Sequence, residues 1–210
     1  MMMCFPKRSN YQLANLLQIL AIMYFLLLLS GCEDQYTPKP KAYFRIDLPE
    51  KSYRAYNSAL CPFKFEYPVY AEVVRDSLFF DQKAENPCWM NINFNSLKGK
   101  IHISYKEVNA ENTLSKLIED SHKLTFKHTI KADYIDEGQI STPNDVYGIL
   151  YEVGGNAASS VQFYVTDSVN HYLRGSLYFS SAPNQDSLAP VINFVKQDLL
   201  HLVNTLSWKE

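Results

Sequence analysis

"CWMNINFNSLKGKIHISYKEV", residues 88–108, alternates apolar and polar side chains on either side of Lys98-Gly99-Lys100. Met90, Ile92 and Phe94 share one parity against Asn91, Asn93 and Asn95. Beyond the turn, Ile101, Ile103 and Tyr105 do the same against His102, Ser104 and Lys106. A period of two belongs to a strand with one dry face, so residues 89–106 are predicted to form an antiparallel hairpin. The pattern recurs upstream in "CPFKFEYP", where Phe63 and Phe65 oppose Lys64 and Glu66. Downstream it recurs at 130–135, 146–153, 160–166 and 172–180. Gly154-Gly155-Asn156 and Asp167-Ser168-Val169-Asn170 provide the turns between the last three of these segments.

Two segments carry a helical period instead. Asn112 or Thr113 can cap a helix with Leu114, Leu117, Ile118 and Leu124 on one side and Glu119, Asp120 and Lys123 on the other, ending near Lys127. Asp186 or Ser187 can cap a second helix, with Pro190 in its first turn and Leu188, Val191, Ile192, Val195, Leu199, Leu202 and Leu206 along its stripe. Antiparallel strands packed with two amphipathic helices define an α+β class. The 210 residues are 47% hydrophobic, enough for one domain with a full core, which is expected to span 43–210. A net charge of -2 provides no basic field for nucleic acid.

The N-terminus reads differently. Lys7 and Arg8 precede an uncharged apolar stretch densest from Ile19 to Leu29, interrupted early by Gln12, Asn15 and Gln18. Its uninterrupted part falls short of the roughly 20 apolar residues of a spanning helix. Leu29-Ser30-Gly31-Cys32 follows, and it resembles the bacterial lipobox, in which small residues flank the cleaved bond and the thiol takes a diacylglycerol. Residues 1–31 are therefore expected to be a lipoprotein signal peptide, and Cys32 the acylated N-terminus. An uncleaved anchor is the alternative. Glu33 and Asp34 resemble a surface-export signal of lipoproteins in the Bacteroidota, or form a solvated linker. Thr37-Pro38-Lys39-Pro40-Lys41 completes a stiff spacer over 32–42.

Of the remaining cysteines, Cys61 and Cys88 both share the parity of the apolar face of their strands. Outside the cytoplasm they can form a disulfide; two buried free thiols are the alternative. Neither lies in CxxC or beside a histidine that would activate it. The five histidines show no metal-binding spacing, "GGNAASS" lacks the lysine of a phosphate loop, and Ser176 in "RGSLY" sits within a strand where a nucleophile would need an elbow. No catalytic residue and no metal ligand is assigned. Among fifteen tyrosines, Tyr164 and Tyr178 share with Arg174 the sheet face opposite the apolar one. Tyrosine and arginine are preferred interface anchors, so that face either binds a partner or lies under a second helix layer.

The strings "YTPKPKAYFRIDLPEK", "PCWMNINF", "KGKIHISYKEV", "LIEDSHKLTFKHTIKAD" and "RGSLYFSSAPNQDSLAPVINFVKQDLLHLVNTLSW" together resemble the gliding-motility lipoprotein GldD family of the Bacteroidota. That resemblance implies an accessory component of gliding motility and the associated type IX secretion machinery, acting through contacts with other proteins of that machinery. It implies no enzymatic activity and no cofactor beyond the diacylglycerol and N-acyl chain on Cys32, which tether the chain to the bilayer. The implied location is the cell envelope; the outer membrane is expected ahead of the inner one, which is the alternative. The strand and helix plan resembles the sandwich of the photosystem extrinsic protein PsbP, at the level of fold alone. The competing function is an envelope enzyme or small-ligand-binding lipoprotein whose site assembles only on folding.

Overall fold

The hairpin forms as β6 (Met90–Phe94) and β7 (Gly99–Glu107), with Met90 opposite Ile103 and Ile92 opposite Ile101. Lys98 closes the turn in a left-handed conformation (φ 51°). The computed structural model describes residues 10–28, 45–75, 78–79, 82–83 and 86–209. The chain divides into two units, Met1–Tyr43 and Phe44–Glu210. In the first, α1 runs from Asn10 to Leu28.

In the second unit the hairpin is the nucleus of a seven-stranded antiparallel sheet. It also contains β3 (Glu72–Arg75), β8 (Ala132–Thr142), β9 (Val146–Gly155), β10 (Ser159–Thr166) and β11 (His171–Phe179). The strand order is β3-β6-β7-β11-β10-β9-β8. A two-stranded ribbon, β4 (Leu78–Phe79) with β5 (Gln82–Lys83), lies between β3 and β6 in the chain. A second sheet pairs β1 (Tyr53–Tyr56) and β12 (Ser207–Trp208) on either side of β2 (Phe63–Pro68).

Parity assigns the two faces of the large sheet. Met90, Ile92, Phe94, Ile101, Ile103, Phe163, Val165, Leu173 and Leu177 all enter one core with Phe63 and Phe65 of β2 and Val195, Leu199 and Leu202 of α3 (Gln185–Thr205). Each such side chain contributes about 1.5–3 kcal/mol when fully buried. The opposite face carries a smaller cluster of Tyr151, Tyr164 and Tyr172 around Leu117 of α2 (Leu114–Phe126). The fold is α+β, with one helix on each face of the sheet.

Four boundaries differ from the sequence pattern. The cap of α3 is Asn184, whose side chain accepts the Ser187 N–H at 3.2 Å, so the helix starts earlier than Asp186. Strand β8 begins at Ala132 and runs to Thr142; Ile130 lies before it in a 3-10 turn, 85% exposed. Tyr53–Tyr56 and Ser207–Trp208, each too short to show a period, become strands by pairing with β2. Finally, α2 buries Leu117, Ser121 and Thr125, while Leu124 is 42% exposed. The sheet face beneath it is polar, and the hydroxyls of the helix match it.

Candidate functional site

The face under α2 is built on hydroxyl and amide contacts. Tyr172 on β11 donates its hydroxyl toward Ser121 Oγ at 2.6 Å and the Leu117 carbonyl at 3.0 Å. Thr125 Oγ1 lies 3.2 Å from Gln162 Oε1, and Arg174 Nη2 donates to the same oxygen at 2.6 Å. Tyr164 stacks on Tyr172 with ring centroids 5.5 Å apart, and Tyr151 packs against Tyr164. Burial dominates their ionisation: it raises the phenol of Tyr151 to about 12 and lifts those of Tyr164 and Tyr172 as well.

This arrangement corrects the expectation of Tyr164 as an exposed partner anchor. It is 7% exposed, because α2 forms the second helix layer over its position. Arg174 and Tyr178 share its face and are partly buried, Tyr178 edge-on to His102 at 5.5 Å. Gln162, absent from the sequence reading, is the residue that ties Arg174 to the helix. Its signal was parity with Tyr164 on β10. Between α2 and the sheet lies a cavity of about 210 Å³, bordered by Trp89, Ser104, Leu117, Leu124, Tyr172 and Arg174.

Cys61 and Cys88 are joined as a disulfide, with Cα atoms 5.5 Å apart and both residues buried. Beside Cys88 a cleft of about 330 Å³ is bordered by Leu60, Asn86, Tyr105, Glu107 and Asn112. Its polar groups are engaged locally: Asn86 Nδ2 donates to the Tyr105 carbonyl at 2.8 Å, and Tyr105 Oη lies 2.7 Å from His171 Nδ1. No group of three or more His, Cys, Asp or Glu among the described residues is placed to hold a metal.

A buried carboxylate lies on the other face of the sheet. Asp198 of α3, 1% exposed, accepts from Lys51 Nζ at 2.6 Å, Tyr53 Oη at 2.9 Å and Tyr70 Oη. Lys51 also donates to the Phe194 carbonyl and sits over the Phe194 ring. Burial, reinforced by the bond to Asp198, pushes the Tyr53 phenol up to about 12, and the same causes raise Tyr70. All partners come from the chain itself, so the cluster fastens the segment before β1 and the turn after β2 to α3.

The model of the gliding motility lipoprotein GldD family matches residues 33–208. The chain belongs to that family. No curated protein matches this GldD family member. Among solved structures, the solution structure of cyanobacterial PsbP (CyanoP) from Synechocystis sp. PCC 6803 is similar at 13% sequence identity and a TM-score of 0.39, covering 81% of this chain and 97% of that one. The family match begins directly after Cys32, which lies outside the described residues, as do Glu33, Asp34 and the proline spacer. Among the described residues no helix is long and apolar enough to cross a membrane.

Proposed function

We propose that this GldD family lipoprotein is held in the cell envelope by acyl chains on Cys32, at the outer membrane, and serves the gliding motility and type IX secretion machinery through protein contacts. The observation that carries the reading is the family match over 33–208, set immediately behind Leu29-Ser30-Gly31-Cys32. A diacylated and N-acylated cysteine anchors stably, since each buried methylene contributes about 0.8 kcal/mol and one chain alone binds only marginally. In this reading the domain performs no catalysis and carries no cofactor besides its lipid. The arrangement of Asp198, Lys51 and the tyrosines favours a rigid body over a reaction centre, because each group is engaged by another part of the same fold.

Two measurements test it. Cys32→Ala should abolish incorporation of labelled fatty acid and leave a longer precursor; labelling that persists overturns the anchor. Replacing the chromosomal copy with Cys32→Ala, or deleting it, should impair spreading and reduce secretion of type IX substrates. Normal secretion in the deletion strain overturns the machinery assignment.

A further inference from the structure

Beneath α2 the fold keeps a cation without an anion. Arg174 is partly buried, and the acceptor its guanidinium reaches is the neutral Gln162 Oε1 at 2.6 Å. No carboxylate among the described residues forms an ion pair with it. Burial lowers its pKa, and the groups opposing that effect are the phenols of Tyr178, Tyr172 and Tyr151.

The neighbouring polar groups are donors too. Arg174 Nη2 and Thr125 Oγ1 both lie against Gln162 Oε1, which fixes the amide so that Nε2 is the free end. That Nε2 is buried with no hydrogen-bond partner, on a residue 1% exposed. Directly across the β10–β11 register stands Ser176, 2% exposed, whose Oγ is likewise buried and unpartnered. A buried donor left unsatisfied costs about 1–3 kcal/mol, and an uncompensated buried charge costs more. Of these, Arg174 lines the 210 Å³ cavity that α2 leaves over this face, while Gln162 and Ser176 lie buried in the strands around it.

The partner that the guanidinium lacks on its cavity side is an anion, and a planar carboxylate matches its fork. Besides Ser104 and Ser121, the cavity wall is apolar at Trp89, Leu117, Leu124 and Tyr172. An apolar cavity of about 150 Å³ accommodates benzene, so this one has room for a ring or a short chain beside the charge. Asp120 and Lys106, also on the lining, carry opposite charges and add little net field. We propose that this cavity binds a small monocarboxylate with an apolar body, its carboxylate on Arg174 beside the hydroxyl of Ser104, which lines the cavity directly across the β7–β11 register. The site does not depend on the secretion assignment, and an inactive deletion strain would not bear on it.

The occupancy has a reporter outside the donor set. His128, at the end of α2, is held below its ordinary pKa first by burial and then by the charge of Arg174. An anion on Arg174 removes the second cause, so the imidazole pKa rises on binding.

The test uses the full chain in detergent, with benzoate as probe and benzyl alcohol as its uncharged counterpart. Saturable quenching of Trp89 by benzoate is expected in the millimolar range, with benzyl alcohol at least tenfold weaker, about 1.4 kcal/mol. The His128 imidazole, followed by NMR, should titrate at higher pH with benzoate present. Arg174→Gln should weaken benzoate tenfold or more without lowering the melting temperature, since it removes a buried charge. Should that variant not fold, Ser104→Ala, a smaller change on the cavity wall, should weaken benzoate severalfold. Equal binding of benzoate and benzyl alcohol, an unmoved His128, or unchanged affinity in Ser104→Ala each overturns the site. N-acetylphenylalanine binding more tightly than benzoate assigns it to peptide C-termini, and the reverse assigns it to free small acids.

Discussion

At the scale of single residues, Asp167 and His128 set the response to acid, in separate windows. Asp167 Oδ1 accepts the N–H groups of Val169, Asn170 and His171, each at 2.9 Å, and thereby closes the β10–β11 turn in which Ser168 takes a φ of 70°. Burial alone would raise its pKa, but the N–H groups of His171, Val169 and Asn170 outweigh it and hold the carboxyl below 3.8. A depressed carboxylate contributes fully above its unfolded value and loses that contribution as pH falls through the folded one. Asp167→Ala should therefore lower unfolding free energy by about 1–2 kcal/mol at neutral pH, and the deficit should shrink in urea titrations run below pH 3.8. His128 works earlier. Its folded pKa lies below 6.5, so the unfolded chain takes up the proton first and stability falls as pH drops beneath 6.5. His128→Gln should flatten that part of the profile while leaving the lower window intact; an unchanged slope between the two windows would show that another group carries it.

At the scale of elements, what the sequence made legible was whatever one face of an element repeats. The hairpin at 88–108 and the stripe of α3 were readable because Met90, Ile92, Ile101, Val195 and Leu199 answer to a single core. Elements that satisfy polar groups were not. Ser121 and Thr125 stand one turn apart on α2 and look solvent-facing, yet they are buried because Tyr172 and Gln162 offer them partners from the sheet. Asp198 is the same case inside α3: a charged residue next to Leu199 in the stripe, buried since Lys51, Tyr53 and Tyr70 converge on it from more than a hundred residues away. No period can announce a partner so distant. Asp198→Ala should cost about 3 kcal/mol, the lower end for a broken buried pair because the Lys51 side chain remains 26% exposed and can be partly rehydrated. A combined Lys51→Met and Asp198→Leu change should recover part of that loss in urea unfolding. If the double variant is no better than the single one, the two phenols and not the ammonium account for the penalty.

At the scale of the whole domain, the question is what holds the small sheet against the large one. Strand β2 packs Phe63 and Phe65 into the core shared with α3 and β6, but its strand partners are β1 and β12, and its Glu66 N–H donates to Thr205 Oγ1 of α3. Besides the short backbone link from β2 to β3, a covalent cross-link between the sheets comes from Cys61, just before β2, and Cys88, just before β6. The bridge spans a separation of 27 residues, which includes β3 and the β4–β5 ribbon. Closing a loop of that length removes about 3–4 kcal/mol of freedom from the unfolded chain in the entropy model. That is a large share of the roughly 5–15 kcal/mol by which domains are stable. Cys61→Ala with Cys88→Ala should therefore reduce unfolding free energy by up to about 3–4 kcal/mol, and wild-type protein in reductant should approach the double variant. The loss should show in the urea midpoint with folded-state contacts of α3 retained, since Val195, Leu199 and Leu202 pack without the sulfurs. Because the thiols pair only outside the reducing cytoplasm, the same comparison predicts that cytoplasmic expression yields the less stable form and export the stable one. Equal midpoints for oxidised and reduced wild-type protein would show that the shared core, and not the bridge, holds the sheets together.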